Sequence, residues 1–507
     1  MRCSSPVNEG PPLYTQKKCL PGYDCIIVSS LLLLVFACSA SETLAQRPDD
    51  LPTSVQVLLD TLPPLSHERQ GRPLLYQYSV GDLSGLSDAE TADVLQALAN
   101  RGVGVITFWE KGSRQEARME EGIRIARLQD SLGLSVAVDA TDILYGFYDG
   151  TEAVAHIDSS GNRFFDDSFA GRSMGCPFTL DRRQPVIESR VAAYVEAYHA
   201  AGVSIDLVTA DWEIDGPHEW NEAWENARRC VRGRENIANI ESFEAFQARM
   251  REMRSDLLKD SYVQPILRRY PEAKITNYAV YPNDGWRYWY DYFESPQPEL
   301  PHRRDQEALY RPWYDEFTET GLTMAMPVVY TWYPTYSWYP AFESDDYRWF
   351  YNMLRVGSNA GKSTPPGIPI ATFVHWHTTA PPDDPDPSVP QMSKDRYQEL
   401  LWHLLLRGHD RLYSWCLQEE LPREMSLLQE VYDASLEYVG WLEHGVPITF
   451  DVPREEGPVV SGLRWNDRVL VRRTDFGPST GPVSIEVAGE TIRVPAAPDT
   501  LQIIELD

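Results

Sequence analysis

The sequence predicts an α/β fold, a (β/α)8 TIM barrel, followed by a small C-terminal all-β module of sandwich-like type. Three observations predict it. Short apolar strands alternate with amphipathic helices about eight times, which implies a parallel sheet covered on both faces. No glycine-rich phosphate loop follows the first strand, as it would in many open doubly wound sheets. From about Pro447 the texture changes to short alternating runs separated by Gly, Pro and Asn-Asp turns.

The expected strands are Leu74–Ser79, Val103–Phe108, Leu134–Thr141, Ser204–Glu213, Ala273–Pro282, Leu322–Tyr333, Ile368–Trp376 and Arg411–Leu417. Helical periodicity fills the gaps at Asp88–Arg101, Gln115–Leu132, Pro185–Ala201, Ser242–Lys259, Asp346–Ala360, Lys394–Arg407 and Ser426–His444. The module offers strands at Pro458–Leu463, Arg468–Arg473, Val483–Val487 and Leu501–Leu506. It holds one tryptophan, Trp465, so packing against the barrel ranks above sugar binding as its role.

The amino terminus reads as an export signal. Lys17 and Lys18 precede an apolar run from Cys25 to Ala40, too short for a membrane span but suited to a signal-peptide core. The expected division is a signal peptide over 1–45, a Pro-rich linker over 46–70, a catalytic barrel over 71–446 and the module over 447–507. The product would be secreted or held in the periplasm or cell envelope. Lipoprotein processing at Cys38 ranks lower, because Phe36 is bulky for that box.

Composition narrows the partners. Of 507 residues 43% are hydrophobic, enough for a core, and the formal charge is −29 with the acids spread along the chain. Such a surface argues against nucleic acid and anionic membranes. Four of the seven cysteines lie in the leader. Of Cys176, Cys230 and Cys416, the expected bridge is Cys176–Cys230, and the spacings fit no zinc motif.

The segment Ser204–Asp215 begins as an apolar strand and ends in acid. Alternation along a strand points Asp211, Glu213 and Asp215 the same way. Crowded carboxylates repel, so one holds its proton to higher pH. A protonated acid beside an ionised carboxylate is the equipment for cleaving a glycosidic bond. Catalytic residues of a barrel sit at the carboxyl ends of its strands. There the sequence places Tyr281 and Asp284 on the fifth, Tyr330 and Trp332 on the sixth, His375 and His377 on the seventh, and Trp415 on the eighth. These are the expected substrate contacts, since aromatic faces stack on sugar rings. Trp313, Trp349 and Phe350 fall on helical stretches and read as core. His375 and His377, two apart, could bind zinc, but nothing fixes further ligands. They are read as hydrogen-bonding substrate, with no metal and no cofactor expected. The partner is then a polysaccharide or oligosaccharide.

Asp206-Leu-Val-Thr-Ala-Asp-Trp-Glu213 resembles the chitinase-family DxxDxDxE signature, with Thr209 where one acid stands, and the Asp-Trp-Glu of the hyaluronidase family. Tyr278–Pro282, Met326–Tyr330, Ile368–Thr379 and Tyr413–Trp415 are similar to hyaluronidase segments in the same order. The likeness runs from about Val203 to Cys416. Departures are Ile214-Asp-Gly-Pro217 after the motif and the absence of the family's paired cysteines. The resemblance implies substrate-assisted cleavage of a 2-acetamido glycan. In it Glu213 is general acid/base, Asp211 orients the acetamido group, Tyr330 hydrogen-bonds it and Trp415 floors the reacting sugar.

Alternatives stand beside it. One is a conventional two-carboxylate glycosidase, its second acid drawn from Asp139, Asp284, Glu343 or Glu419. Others are a non-catalytic carbohydrate-binding barrel and a metal hydrolase built on His375 and His377. Arg182, Arg183, Arg228, Arg229, Arg232 and Arg234 lie in the loops around the fourth strand and could favour an anionic chain locally.

Overall fold

A computed structural model describes residues 51–78, 80–145, 151–166, 173, 175–212, 221–287, 311–312, 315–332, 336, 342–379, 388–478 and 481–506. The expected signal peptide, Glu213, Asp215 and Trp313 lie outside the described residues.

Eight short strands follow in chain order: β1 (Tyr76–Gln77), β2 (Ile106–Phe108), β3 (Ala137–Asp139), β4 (Leu207–Thr209), β5 (Lys274–Ile275), β6 (Val328–Trp332), β7 (Ala371–Thr379) and β8 (Arg411–Ser414). They pair in parallel as two four-stranded sheets, ordered β2-β3-β4-β5 and β1-β8-β7-β6. Register places Ile106 beside Ala137, Ala137 beside Leu207 and Leu207 beside Lys274. In the other sheet Val328 sits beside Phe373, Phe373 beside Tyr413 and Tyr413 beside Tyr76. Backbone hydrogen bonds also cross between the sheets. Leu75 N–H donates to Gly102 O at 2.8 Å, and Thr323 N–H to Ile275 O at 3.1 Å.

Each observed strand falls within or overlaps the range expected from sequence, but most are shorter. Only a few residues per strand find ladder partners, and the chain leaves the sheet early for the rim. The connecting helices bury one face. Helix Asp88–Ala99 buries Val94, Leu95 and Leu98. Ser87 and Glu90 close its start reciprocally, Ser87 N–H donating to the Glu90 carboxylate at 2.8 Å. Helix Leu180–Ala200 begins ahead of Pro185, which was read as its first residue. Within the expected linker, Thr53–Thr61 is a helix, with Val55, Leu58 and Leu59 packed into the core. The flanking prolines concealed a helical spacing of apolar residues. Among the described residues no helix is long and apolar enough to cross a membrane.

The carboxyl part contains β9 (Val446–Pro447), β10 (Pro458–Trp465), β11 (Arg468–Asp475), β12 (Val483–Val487), β13 (Glu490–Val494) and β14 (Leu501–Glu505). β9-β10-β11-β14 form an antiparallel sheet, and β12-β13 a hairpin. β13 was not read from sequence. It has only Ile492 and Val494 buried among polar neighbours.

This part packs on helix Lys394–Leu405 through buried polar groups that find partners. The Arg472 guanidinium donates to Glu399, with Nε at 2.8 Å, and the His403 imidazole lies 2.7 Å from Ser461 Oγ and 3.0 Å from Thr474 Oγ1. Arg407, fully buried, donates to Ser461 Oγ at 2.8 Å and to Asp451 O at 2.9 Å. Pairing of this kind is what keeps buried charge tolerable.

Candidate active site

The acids that the structure brings together are Asp139 and Asp211. β3 ends at Asp139, whose Cα partner on β4 is Thr209, two residues before Asp211. A tight local network holds the junction. Thr141 N–H donates to Asp139 Oδ1 at 3.0 Å, Asp211 N–H donates to Thr141 Oγ1 at 2.7 Å, and Ala140 N–H donates to Thr209 O at 2.8 Å. Asp139 is 2% exposed, whereas Asp211 is half-buried. Asp139 Oδ2 and Asp211 Oδ1 are buried with no hydrogen-bond partner among the described residues.

Burial pushes Asp139 up to about 7 from 3.8. Asp211 also rises to about 7, by burial first and then by the charge of Asp139. Two carboxyls so placed cannot both ionise cheaply, so the pair keeps a proton to higher pH than a free carboxyl does. Tyr78, just past β1, is raised by burial and then by Asp139 and Asp211. Tyr413 on β8 is raised by burial and feels the same two acids, and its hydroxyl has no partner among the described residues.

Trp212 is fully buried core. Its N–H donates to Asn277 Oδ1 at 3.1 Å, and its carbonyl accepts from Arg254 at 3.2 Å. Arg254 in turn pairs with Glu316 at 3.0 Å. The chain is therefore pinned immediately before position 213. The ladder stops at Thr209, so strand alternation does not itself reach Asp211.

The second sheet carries an aromatic wall. Tyr330 stacks on Trp415 with centroids 6.1 Å apart, and His375 meets Trp415 edge-on at 5.0 Å. Tyr278 lies 6.4 Å from Tyr330, and Phe373 lies 4.8 Å from Tyr413. Trp415 is half-buried and Tyr330 6% exposed. Trp332, at the end of β6, is also half-buried, and Tyr281 is buried in the core.

Several expected contacts sit elsewhere. His375 is 1% exposed, with Nε2 3.2 Å from Glu420 and 3.6 Å from Glu424. It meets the Trp415 ring edge-on and does not face solvent. The exposed His377 has Nε2 3.5 Å from Glu420. Asp284 lies in a separate cleft of about 820 Å³, with Arg355, Phe450 and Ile485, and its N–H donates to Asn359 at 3.2 Å. Arg228 covers Trp224, Arg229 covers Phe164, and Arg232 donates to Ala155 O at 3.1 Å, so these arginines pack the long loops.

Two groups among the described residues could hold a metal: His375 with Glu420 and Glu424, and His156 with Cys176 and Cys230. In the first, Glu424 already accepts from Trp376 N–H at 3.0 Å and His377 N–H at 2.7 Å. The expected Cys176–Cys230 bridge is corrected: the cysteines are free, with sulfurs 3.8 Å apart. The sequence offers Asp139 only as one of several second acids. The signal that singles it out is the pattern of the fourth strand repeated, an apolar strand ending in aspartate.

No family model matches the chain, and no curated protein matches it. Solved structures that it resembles include α-L-fucosidase isoenzyme 2 from Paenibacillus thiaminolyticus, at 9% identity and TM-score 0.44, covering 75% of this chain and 51% of that one. Fungal β-1,4-galactanase gives 15% identity and TM-score 0.34, covering 67% of this chain and 88% of that one. Bee venom hyaluronidase gives 13% identity and TM-score 0.29, covering 66% and 96%. These neighbours are glycoside hydrolases, and this chain spans about half the length of the fucosidase. TM-scores below 0.5 at such identities assign this chain neither a fold nor an activity.

Proposed function

We propose that this chain is an exported glycoside hydrolase acting on a 2-acetamido polysaccharide. The observation that carries the reading is the Asp139–Asp211 pair at the ends of adjacent strands, joined through Thr141, with both carboxyls raised by burial. The hydrogen bonds at both seams of the two sheets support a closed (β/α)8 barrel, with these acids on its rim and the strands after Val446 as a packing module.

In this mechanism Glu213 protonates the leaving oxygen while the substrate's acetamido oxygen attacks the anomeric carbon. Positive charge then develops on the acetamido group. Asp211, the more exposed of the pair, faces it and is needed as a carboxylate. Asp139, sealed from water, holds its own proton at that moment. The pair so supplies negative charge where the transition state gains positive charge. Trp415, stacked on Tyr330, presents a face for the sugar ring.

The test uses Glu213→Gln and Asp211→Asn. Glu213→Gln should cut turnover by about 10²–10⁴ with the fold intact. A thiazoline analogue of the cyclic intermediate should bind far tighter than the parent sugar, and Asp211→Asn should weaken it along with turnover. A Glu213→Gln enzyme within a factor of about two of wild type would move the acid elsewhere. A thiazoline that binds no tighter than the sugar would favour the two-carboxylate alternative.

A further inference from the structure

His156, Cys176 and Cys230 converge although they are far apart in the chain. His156 lies on a hairpin in the long insert after β3, and Cys176 opens the turn Pro177–Thr179 later in that insert. Cys230 caps the helix Val231–Asn236 in the insert after β4. All three are at most 2% exposed, and one donor atom from each lies within 4.8 Å of the others. We propose that they form a zinc site that clamps the two inserts flanking the Asp139–Asp211 rim.

Geometry separates this from a bridge. The sulfurs stand 3.8 Å apart. Two thiolates each about 2.3 Å from a tetrahedral zinc stand about 3.8 Å apart. A disulfide would need no imidazole, yet His156 sits against the pair, its ring 4.9 Å from Phe164 and its Nδ1 buried with no hydrogen-bond partner among the described residues.

Thiolates are the ligand form of cysteine. Zinc binding releases the thiol protons. Two thiolates, one neutral imidazole and one Zn²⁺ sum to zero charge, so the filled site buries no net charge. Three donors leave one coordination position for water.

The clamp is independent of the proposed hydrolysis. Protein produced with zinc present and purified without thiols should carry about one zinc per chain by elemental analysis. After removal with a chelator, cobalt(II) titration should give a thiolate-to-cobalt charge-transfer band and tetrahedral visible bands at one equivalent. Cys230→Ser should abolish the charge-transfer band or halve it, and His156→Ala should shift the visible bands. The wild-type titration decides the matter even where a variant fails to fold. A Cys176–Cys230 disulfide in a non-reduced digest overturns the proposal. So does purified protein without zinc whose cobalt spectrum lacks the thiolate band.

Discussion

Replacing Asp139 by Asn keeps the shape of a protonated carboxyl and removes its titration. Asp139 sits at about 7 in the folded chain against 3.8. Between those values the folded protein keeps a proton that the unfolded chain has released. The unfolded state binds fewer protons, so stability falls as pH rises through that window. Moving one carboxyl from 3.8 to about 7 corresponds to about 4 kcal/mol once pH exceeds both. Asn carries none of this cost, and without its neighbour's charge Asp211 also ionises more easily. Urea unfolding at several pH values is the assay. Asp139→Asn should match wild type near pH 4 and exceed it above pH 7, by up to about 4 kcal/mol. Because Asp211 then ionises at lower pH, the acid limb of turnover should move to lower pH. A stability difference that does not change with pH, or an acid limb of turnover that stays in place, would refute this account of the pair.

Two further outcomes follow from the packing. Glu399→Ala leaves the Arg472 guanidinium, 8% exposed, without its carboxylate in the seam between helix Lys394–Leu405 and β11. It should cost about 3–5 kcal/mol in urea unfolding with turnover per folded molecule unchanged, and a loss under about 1 kcal/mol would deny the seam that role. Trp415→Ala removes the face stacked on Tyr330 and should weaken substrate binding by about 3–10-fold, the scale of one aromatic contact, as read from KM. An unchanged KM would place the sugar elsewhere.

The alternation of strands and helices was legible because each element carries its own apolar period, and the change of texture near Pro447 because turn residues mark it. What the sequence could not display was convergence. Asp139 and Asp211 are neighbours only through the β3–β4 register, which depends on strand pairing. His375 read as a substrate contact because its carboxylates, Glu420 and Glu424, arrive from the segment after β8. His156, Cys176 and Cys230 show no ligand spacing because two separate inserts deliver them. The helix Thr53–Thr61 was missed for a local reason, prolines on both sides of a short apolar face.

Release of new reducing ends from a panel of pure polysaccharides tests the central claim most directly. The panel holds acetamido chains, neutral and anionic, beside neutral chains with only hydroxyls at C2, and Glu213→Gln serves as the blank. Substrate-assisted cleavage with Asp211 as helper predicts products from acetamido chains alone, absent with the blank. Efficient cleavage of a chain that bears only hydroxyls at C2, or products that persist with Glu213→Gln, would contradict it.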